Sequence, residues 1–237
     1  MMEAQTLNGT LASTSYQESR SRLETYFDRT ARKAWEDLTS DAPVSGIRAT
    51  VRAGRDAMRS VLLDQLPTDM RGQRLLDAGC GTGALAITAA ERGAEVVAID
   101  VSQGLIDVAR ERAPAGLAID WRVGDMRCHH LGRFDHVVAM DSLIHYDETD
   151  VVGVLRAWAQ RADHIAFTFA PGTPLLRAMH VAGKLFPRSD RSPAIKPVAE
   201  TRLAHAIAAG LPGWRIEHSE RVSSGFYKSQ AMGVRRG

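Results

Sequence analysis

The sequence predicts an α/β fold: a mostly parallel, doubly wound sheet with an antiparallel last strand, preceded by N-terminal helices. Three observations carry this. Short apolar runs alternate with stretches of helical periodicity between Arg74 and Phe169, the signature of strands buried on both faces and joined by helical crossovers. The first run ends in a glycine-rich turn, Asp77-Ala78-Gly79-Cys80-Gly81-Thr82-Gly83, placed where a strand hands over to a helix. Two strand-like runs near the C-terminus are separated only by a tight turn, which predicts a hairpin. Composition agrees with one elaborated globular domain: of 237 residues, 44% are hydrophobic and 24% charged. Fibrous and disordered classes are thereby excluded. Two cysteines are too few for a disulfide framework, and a net charge of +2 gives no reason to expect nucleic acid.

Taken in order, residues 1–15 are polar and read as a disordered tail without the basic and apolar regions of a signal peptide. No apolar run approaches the ~18–20 residues of a spanning helix, so a cytoplasmic protein is expected. Residues 16–66 form a helical arm. Leu23, Tyr26, Phe27, Thr30 and Ala34 recur at helical spacing, and Pro43 restarts a second helix carrying Ile47, Val51, Met58, Val61 and Leu62. The main domain, 67–237, opens with a strand over Arg74–Ala78 and a helix through Leu85, Ile87 and Ala90 that stops at Gly93. Glu95–Asp100 is the second strand, Ser102 caps a helix to Arg112, and Leu117–Val123 is the third strand. His136–Met140 is the fourth, a helix carries Val151, Val154, Leu155 and Trp158, and His164–Phe169 is the fifth. Residues 171–198 are broken by five prolines and interrupt the pattern as an insertion too long for a plain connector. A helix over Ala199–Ala209 and strands over Trp214–Val222 and Gly225–Met232 complete the sheet. In such sheets, ligands sit beyond the carboxyl ends of the strands, where the strand order reverses.

The glycine turn is the strongest chemical signal. Gly79, Gly81 and Gly83 let the backbone approach a ligand and deliver it to a helix N-terminus. With Ala84 in the last place, a G-x-G-x-x-G/A dinucleotide reading also fits and stays open as the competitor. Asp77 weighs against it, because a carboxylate at the strand end opposes a pyrophosphate but suits the cationic amino-acid end of S-adenosylmethionine. Asp100, at the end of the second strand, fits a ribose-hydroxyl acceptor in either class. Gly124-Asp125-Met126 closes the third strand at the same edge, where Asp125 would accept from an adenine amino group and the Met126 thioether would lie on its ring. Together these features resemble the class I S-adenosylmethionine-dependent methyltransferases.

The outer segments narrow the resemblance. Tyr26-Phe27-Asp28-Arg29-Thr30, Trp35 and Asp41–Arg48 are similar to the magnesium-protoporphyrin O-methyltransferase family of purple bacteria, as are Met140–Tyr146, Phe167–Pro171 and Gly183–Pro193. The likeness implies methyl transfer from S-adenosylmethionine to a propionate of magnesium protoporphyrin IX, with magnesium entering only as part of the substrate. It implies His145 and Tyr26 as catalytic residues. His145 would orient the propionate or approach the magnesium, and Tyr26 would close the site on a helix folded over the cofactor. Asp141 would accept a hydrogen bond near the cofactor or orient the histidine. Magnesium chelatase is a partner by resemblance only.

The residues are compatible with that chemistry. A propionate is ionised near neutral pH, so alignment matters more than a strong base. Between Arg177 and Arg202, six basic residues face only Asp190 and Glu200. Interleaved with Leu175, Leu176, Met179, Leu185 and Phe186, they suit a lid over an apolar macrocycle edged by carboxylates, with Lys184, Arg188, Arg191 and, more weakly, Tyr146 as substrate-binding residues. The same segment also reads as a solvated loop, or as a face resting peripherally on the inner or photosynthetic membrane. His129 and His130 are adjacent, and no Cys-x-x-Cys or His-x-x-x-His pattern occurs, so no protein-bound metal is expected. Methylation of another small acceptor and a non-catalytic tetrapyrrole-binding module are the remaining alternatives.

Overall fold

The computed structural model describes residues 12–28, 46–172 and 194–237. Two helices come first, α1 (Thr14–Tyr26) and α2 (Gly46–Leu63). Then follow β1 (Arg74–Ala78), α3 (Ala84–Glu91), β2 (Glu95–Asp100), α4 (Gln103–Arg112) and β3 (Ile119–Val123). The chain continues through β4 (His136–Ala139), α5 (Glu148–Ala159) and β5 (His164–Phe169) to α6 (Glu200–Gly210), β6 (Trp214–Ser224) and β7 (Tyr227–Arg236). The seven strands form one sheet in the order β3-β2-β1-β4-β5-β7-β6. Pairs among β1 to β5 are parallel; β7 runs antiparallel to both β5 and β6. The order reverses between β1 and β4, so the ligand crevice belongs above those two strands.

Alternation along the central strands explains why both faces are covered. Leu76, Ala78, Val97, Ile99, Val137, Ala139, Ile165 and Phe167 point to one face, where they pack with Tyr16 and Leu23 of α1, Leu155 and Trp158 of α5, and Leu203 and Ile207 of α6. Their neighbours Leu75, Val96, Ala98, Val138 and Ala166 point to the other, against Met58 and Leu62 of α2 and Leu85, Ala86 and Ala89 of α3. A two-residue period between two helical layers leaves the strands apolar throughout, which is why they read as continuous runs.

The boundaries differ where local chemistry intervenes. Helix α1 begins at Thr14, two residues into the stretch expected to be a tail, because Ser13 Oγ accepts the Tyr16 N–H at 3.1 Å. Strand β4 stops one residue early because Asp141 turns to a left-handed φ of 54°. Strand β7 starts two residues late, after a hairpin turn in which Gly225 has φ 52°, and runs on to Arg236. Residues Thr30 and Ala34 of the expected first helix, and most of the expected insertion, lie outside the described residues. The two ends of that insertion meet: Pro171 bridges Val198, and the Gly172 N–H donates to Val198 O at 2.9 Å.

At the opposite edge from the crevice, the first residues of β4 and β5 form a buried histidine pair. His136 and His164 are register partners with Nδ1 atoms 3.0 Å apart, and His136 Nε2 lies 3.0 Å from Gln73 Oε1. The Gln73 oxygen only accepts, so His136 carries its proton on Nε2 and accepts from His164 Nδ1–H. A charge on either ring has no compensating anion within the pair. Burial, and then the neighbouring His136, hold His164 down at about 4, and burial lowers His136. Neutral rings are therefore favoured by folding. Their contribution is complete above the ordinary histidine pKa of ~6.5 and is lost as pH falls towards 4. Urea midpoints are expected to drop between pH 7 and 4.5 by an amount equivalent to ~1–3 kcal/mol, and a His164→Asn variant should lose less over that interval. Identical pH profiles for the two proteins would sink this account.

Candidate active site

Above the β1/β4 reversal lies a cavity of about 300 Å³ whose lining runs from Tyr16 of α1 to Tyr146 after β4. Its floor is the glycine turn. Gly79, Gly81 and Gly83 have φ of 79°, 55° and 82°, and a Cβ at Gly79 would collide with the Ser142 side chain. Only glycine adopts this turn without strain, and the turn puts the first residues of α3 at the cavity. Asp77, Gly79, Gly81, Asp100, Met126, Asp141, His145 and Tyr146 all line it.

The floor is acidic and starved of counter-charge. Asp77 is 1% exposed, and its Oδ2 has no hydrogen-bond partner. Burial first, and then the charge of Asp100, push its carboxyl up to about 7. Asp100 is better satisfied: Oδ2 accepts from the Gly81 N–H at 2.9 Å and Oδ1 from the Ser102 N–H at 3.0 Å. Burial still raises its pKa against those bonds. An unpartnered buried carboxylate oxygen facing a cavity is costly unless a cationic or donor group arrives. Cys80, between them, has its thiol pushed well up by burial and both aspartates, which keeps it a protonated filler.

Helix α1 forms one wall, through residues other than the one expected. Tyr16, Leu23 and Phe27 line the cavity; Tyr26, at the helix end, is half-buried and packs edge-on against Phe27 at 5.2 Å without joining the lining. The Tyr16 ring stacks on Tyr146 at 4.9 Å, and its hydroxyl donates to Asp125 Oδ1 at 2.7 Å. Burial raises both phenols' pKa, so both stay protonated. Asp125 also accepts the Arg127 N–H at 2.8 Å and faces Arg20 at 3.9 Å. Its carboxylate is thus committed to holding α1, and only its neighbours Gly124 and Met126 line the cavity. The helix is tied at both ends. Ser15 Oγ donates to Asp150 at 2.8 Å, and beyond Tyr26 the Asp28 carboxylate accepts from Ser102 Oγ at 2.5 Å.

The facing wall is α2 and the Met140–Ser142 turn after β4, which β7 braces through Asp141. This residue holds its left-handed backbone while its N–H donates to Thr168 Oγ1 at 2.7 Å. Its carboxylate accepts from Tyr227 Oη at 2.9 Å, Ser229 Oγ at 3.3 Å and Arg55 Nη1 at 2.5 Å. Gly54 makes the approach feasible, since a Cβ there would lie 2.6 Å from the Tyr227 ring. Arg52, Arg55 and Arg59 of α2 all line the cavity, opposite the acidic floor. His145 closes the rim, 8% exposed, with Nδ1 3.4 Å from Ala194 O. A carbonyl only accepts, so Nδ1 carries the proton in this contact.

The sequence reading did not single out Tyr16, Tyr227 or the α2 arginines. The arginines had a legible signal: positions 52, 55 and 59 share one helix face. The other two had none, because each acts through partners at least 86 residues away. Lys184, Arg188 and Arg191, expected to bind substrate, lie outside the described residues.

Comparison with known proteins fits this picture. A methyltransferase-domain model matches residues 75–162, and a model described as magnesium-protoporphyrin IX methyltransferase C-terminus matches residues 139–236. The magnesium-protoporphyrin O-methyltransferase of Rhodobacter capsulatus is 48% identical over 225 residues, 93% of this chain and 98% of the relative. The Synechocystis counterpart is 27% identical over 87% and 92% of the two chains. The crystal structure of magnesium protoporphyrin IX methyltransferase from Synechocystis with bound SAH superposes at a TM-score of 0.77 and 25% identity, covering 92% of this chain and 99% of that one. The sheet order is thus that of a class I methyltransferase, and the match to the Rhodobacter capsulatus protein takes in all but a small part of either chain. A chain that shares nearly half its residues with that enzyme over almost the whole of both lengths belongs to the magnesium-protoporphyrin O-methyltransferase family.

Proposed function

We propose that this protein transfers a methyl group from S-adenosylmethionine to a propionate carboxylate of magnesium protoporphyrin IX, giving the monomethyl ester that leads on to bacteriochlorophyll. The near full-length identity to a relative of that name carries the reading. The cavity fits the cosubstrate on its own evidence: Asp77 Oδ2 is a buried acceptor with no partner, placed for the ammonium of the methionine end. Asp100 retains acceptor capacity for ribose hydroxyls, the glycine turn admits the ligand backbone-close, and Met126 offers its thioether to the adenine. S-adenosylmethionine supplies an electrophilic methyl on a sulfonium; the protein's part is to align an already ionised carboxylate with it and exclude water. No group near the reacting oxygen need remove a proton.

His145 is the catalytic residue at the acceptor side. Its place on the cavity rim, with Nδ1 3.4 Å from Ala194 O, supports a role in orienting the propionate or approaching the substrate's magnesium. Tyr26 serves at the cavity mouth, one residue from the lining Phe27, and closes over the acceptor when α1 tightens. Asp141 supports the site as the hub of the α2 wall, and Tyr146 backs the porphyrin edge. The 171–198 insertion returns past His145 through the Ala194 contact, and its two ends meet through the Gly172 to Val198 bond. That placement supports its role as a substrate lid bearing Lys184, Arg188 and Arg191. Association with magnesium chelatase, or with a membrane surface through this basic segment, extends the same reading. No helix among the described residues is long and apolar enough to cross a membrane.

Incubating the protein with S-adenosylmethionine and magnesium protoporphyrin should yield one monomethyl ester, and metal-free protoporphyrin should react more slowly. Absence of ester beside turnover of a quinone would overturn the acceptor. His145→Ala and Tyr26→Phe are expected to lower kcat by at least ~10-fold while S-adenosylmethionine affinity changes less than ~2-fold. Losses confined to cofactor affinity would refute both roles.

A further inference from the structure

Resting on the function proposed above, we infer that Asp28 is a positioning residue: it ties the end of α1 to the loop that receives the cosubstrate's ribose, so that cosubstrate binding sets Tyr26 over the acceptor. The tie is made at the head of α4. Asp28 Oδ1 accepts from Ser102 Oγ at 2.5 Å and from the Gly104 N–H at 3.4 Å. Ser102 is fully buried, and its hydroxyl oxygen caps α4 by accepting the Leu105 N–H at 3.2 Å.

The same serine reaches the cavity floor. Its N–H donates to Asp100 Oδ1 at 3.0 Å, and Asp100 Oδ2 accepts from the Gly81 N–H at 2.9 Å. An unbroken run of hydrogen bonds thus leads from the glycine turn through Asp100 and Ser102 to Asp28, two residues beyond Tyr26. Between Tyr26 and Asp28, Phe27 lines the cavity, as do Val101 and Leu105 on the other side of the tie. The bonds near the start of α1 differ: they go to Asp150 and Asp125, neither of which lines the cavity. Charge gives the run a direction. Burial first, and the Asp28 charge with it, raise the Asp100 pKa, so the two carboxylates repel across one serine. Ribose hydroxyls that donate to Asp100 spread its charge and relieve part of that repulsion, which tightens the tie. By linkage, a docked α1 favours the cosubstrate by the same factor.

Amide hydrogen exchange over residues 20–28 is followed in wild type, Asp28→Ala and Asp28→Asn, with and without saturating S-adenosylhomocysteine, the unreactive product. Magnesium protoporphyrin is titrated against the same proteins in both conditions. In wild type the nucleoside is expected to slow exchange ~5-fold or more and to tighten porphyrin binding by a similar factor. In Asp28→Ala both effects should fall below ~2-fold, while unchanged exchange in β1 and β4 reports an intact fold. Asp28→Asn keeps an oxygen for Ser102 without the charge, so residues 20–28 should be protected in both conditions and porphyrin binding should no longer respond to the nucleoside. Porphyrin binding weakened equally in both conditions, with the coupling factor intact in Asp28→Ala, would make Asp28 a structural residue and overturn the inference. Exchange in wild type that the nucleoside leaves unchanged would also overturn it. A wild type that protects residues 20–28 on binding the nucleoside yet forms no ester would count against the proposed function and leave the Asp28 tie standing.

Discussion

Asp77→Asn is expected to make the protein more stable and nearly unable to bind its cosubstrate. The carboxylate is buried beside Asp100 with one oxygen unpartnered, and burial with that neighbouring charge raises its pKa to about 7. Because the folded value lies above the unfolded ~4, folding favours the protonated form. The site therefore stabilises the fold only at acidic pH, and that contribution disappears as pH rises through 7. An isosteric amide carries no charge to desolvate, so at pH 8 the variant should gain ~1–3 kcal/mol, a gain that falls below pH 7, is smaller at pH 5 and vanishes near the unfolded ~4. The amide nitrogen would then face the ammonium of the ligand as donor against donor, costing roughly 100-fold in affinity. For the wild type the same sign predicts that S-adenosylmethionine binding is strongest above pH 7 and weakens below it, as the acid protonates. Urea unfolding and calorimetry at pH 5 and 8 read all of this; a destabilised Asp77→Asn at pH 8 would contradict it.

The opposite outcome is expected at Asp141, although it too is an aspartate on the cavity wall. Here the charge is answered: Arg55 lies at 2.5 Å, with 19% of its side chain exposed against 7% for Asp141, and Tyr227 and Ser229 donate to the same carboxylate. Burial and the Asp141 charge raise the Tyr227 pKa, which keeps the phenol a donor. Asp141→Ala removes the carboxylate that faces the Arg55 guanidinium and accepts from two hydroxyls, and places alanine at a φ of 54° that aspartate tolerates better. A loss of ~3–5 kcal/mol follows. Asp141→Asn keeps an acceptor and the backbone tolerance, so it should recover part of that loss. In an Arg55→Leu background, Asp141→Ala should cost distinctly less, since the ion pair is already gone. Additive losses would show that Arg55 and Asp141 do not act as a pair.

These two aspartates show what a sequence can and cannot convey. Every strand was legible because alternation between two helical layers leaves apolar runs, and Asp77, Asp100 and the glycines sit at fixed places relative to those runs. Their positions at the cavity followed from topology. Asp125 shows the limit: its turn was placed correctly, yet its carboxylate is engaged by Tyr16, a partner 109 residues away that no local pattern announces. The α2 arginines were passed over, because spacing puts them on one helix face and cannot say which way that face points. His136 and His164 were seen as the first residues of two strands; only the register between β4 and β5 makes them neighbours.

The ties that hold the cavity walls also set when the cavity can exist. Ser15 bonds a residue 135 positions later, and Asp141 waits for Tyr227, 86 positions further on. During synthesis the glycine turn emerges long before either wall can dock, and loop closures of this length are slow relative to the local pairing of β1 with β2. A ribosome-bound chain ending before β7 would present the floor without the wall that Tyr227 braces. Completion of the cavity is therefore a late event in synthesis, one that follows the emergence of Tyr227.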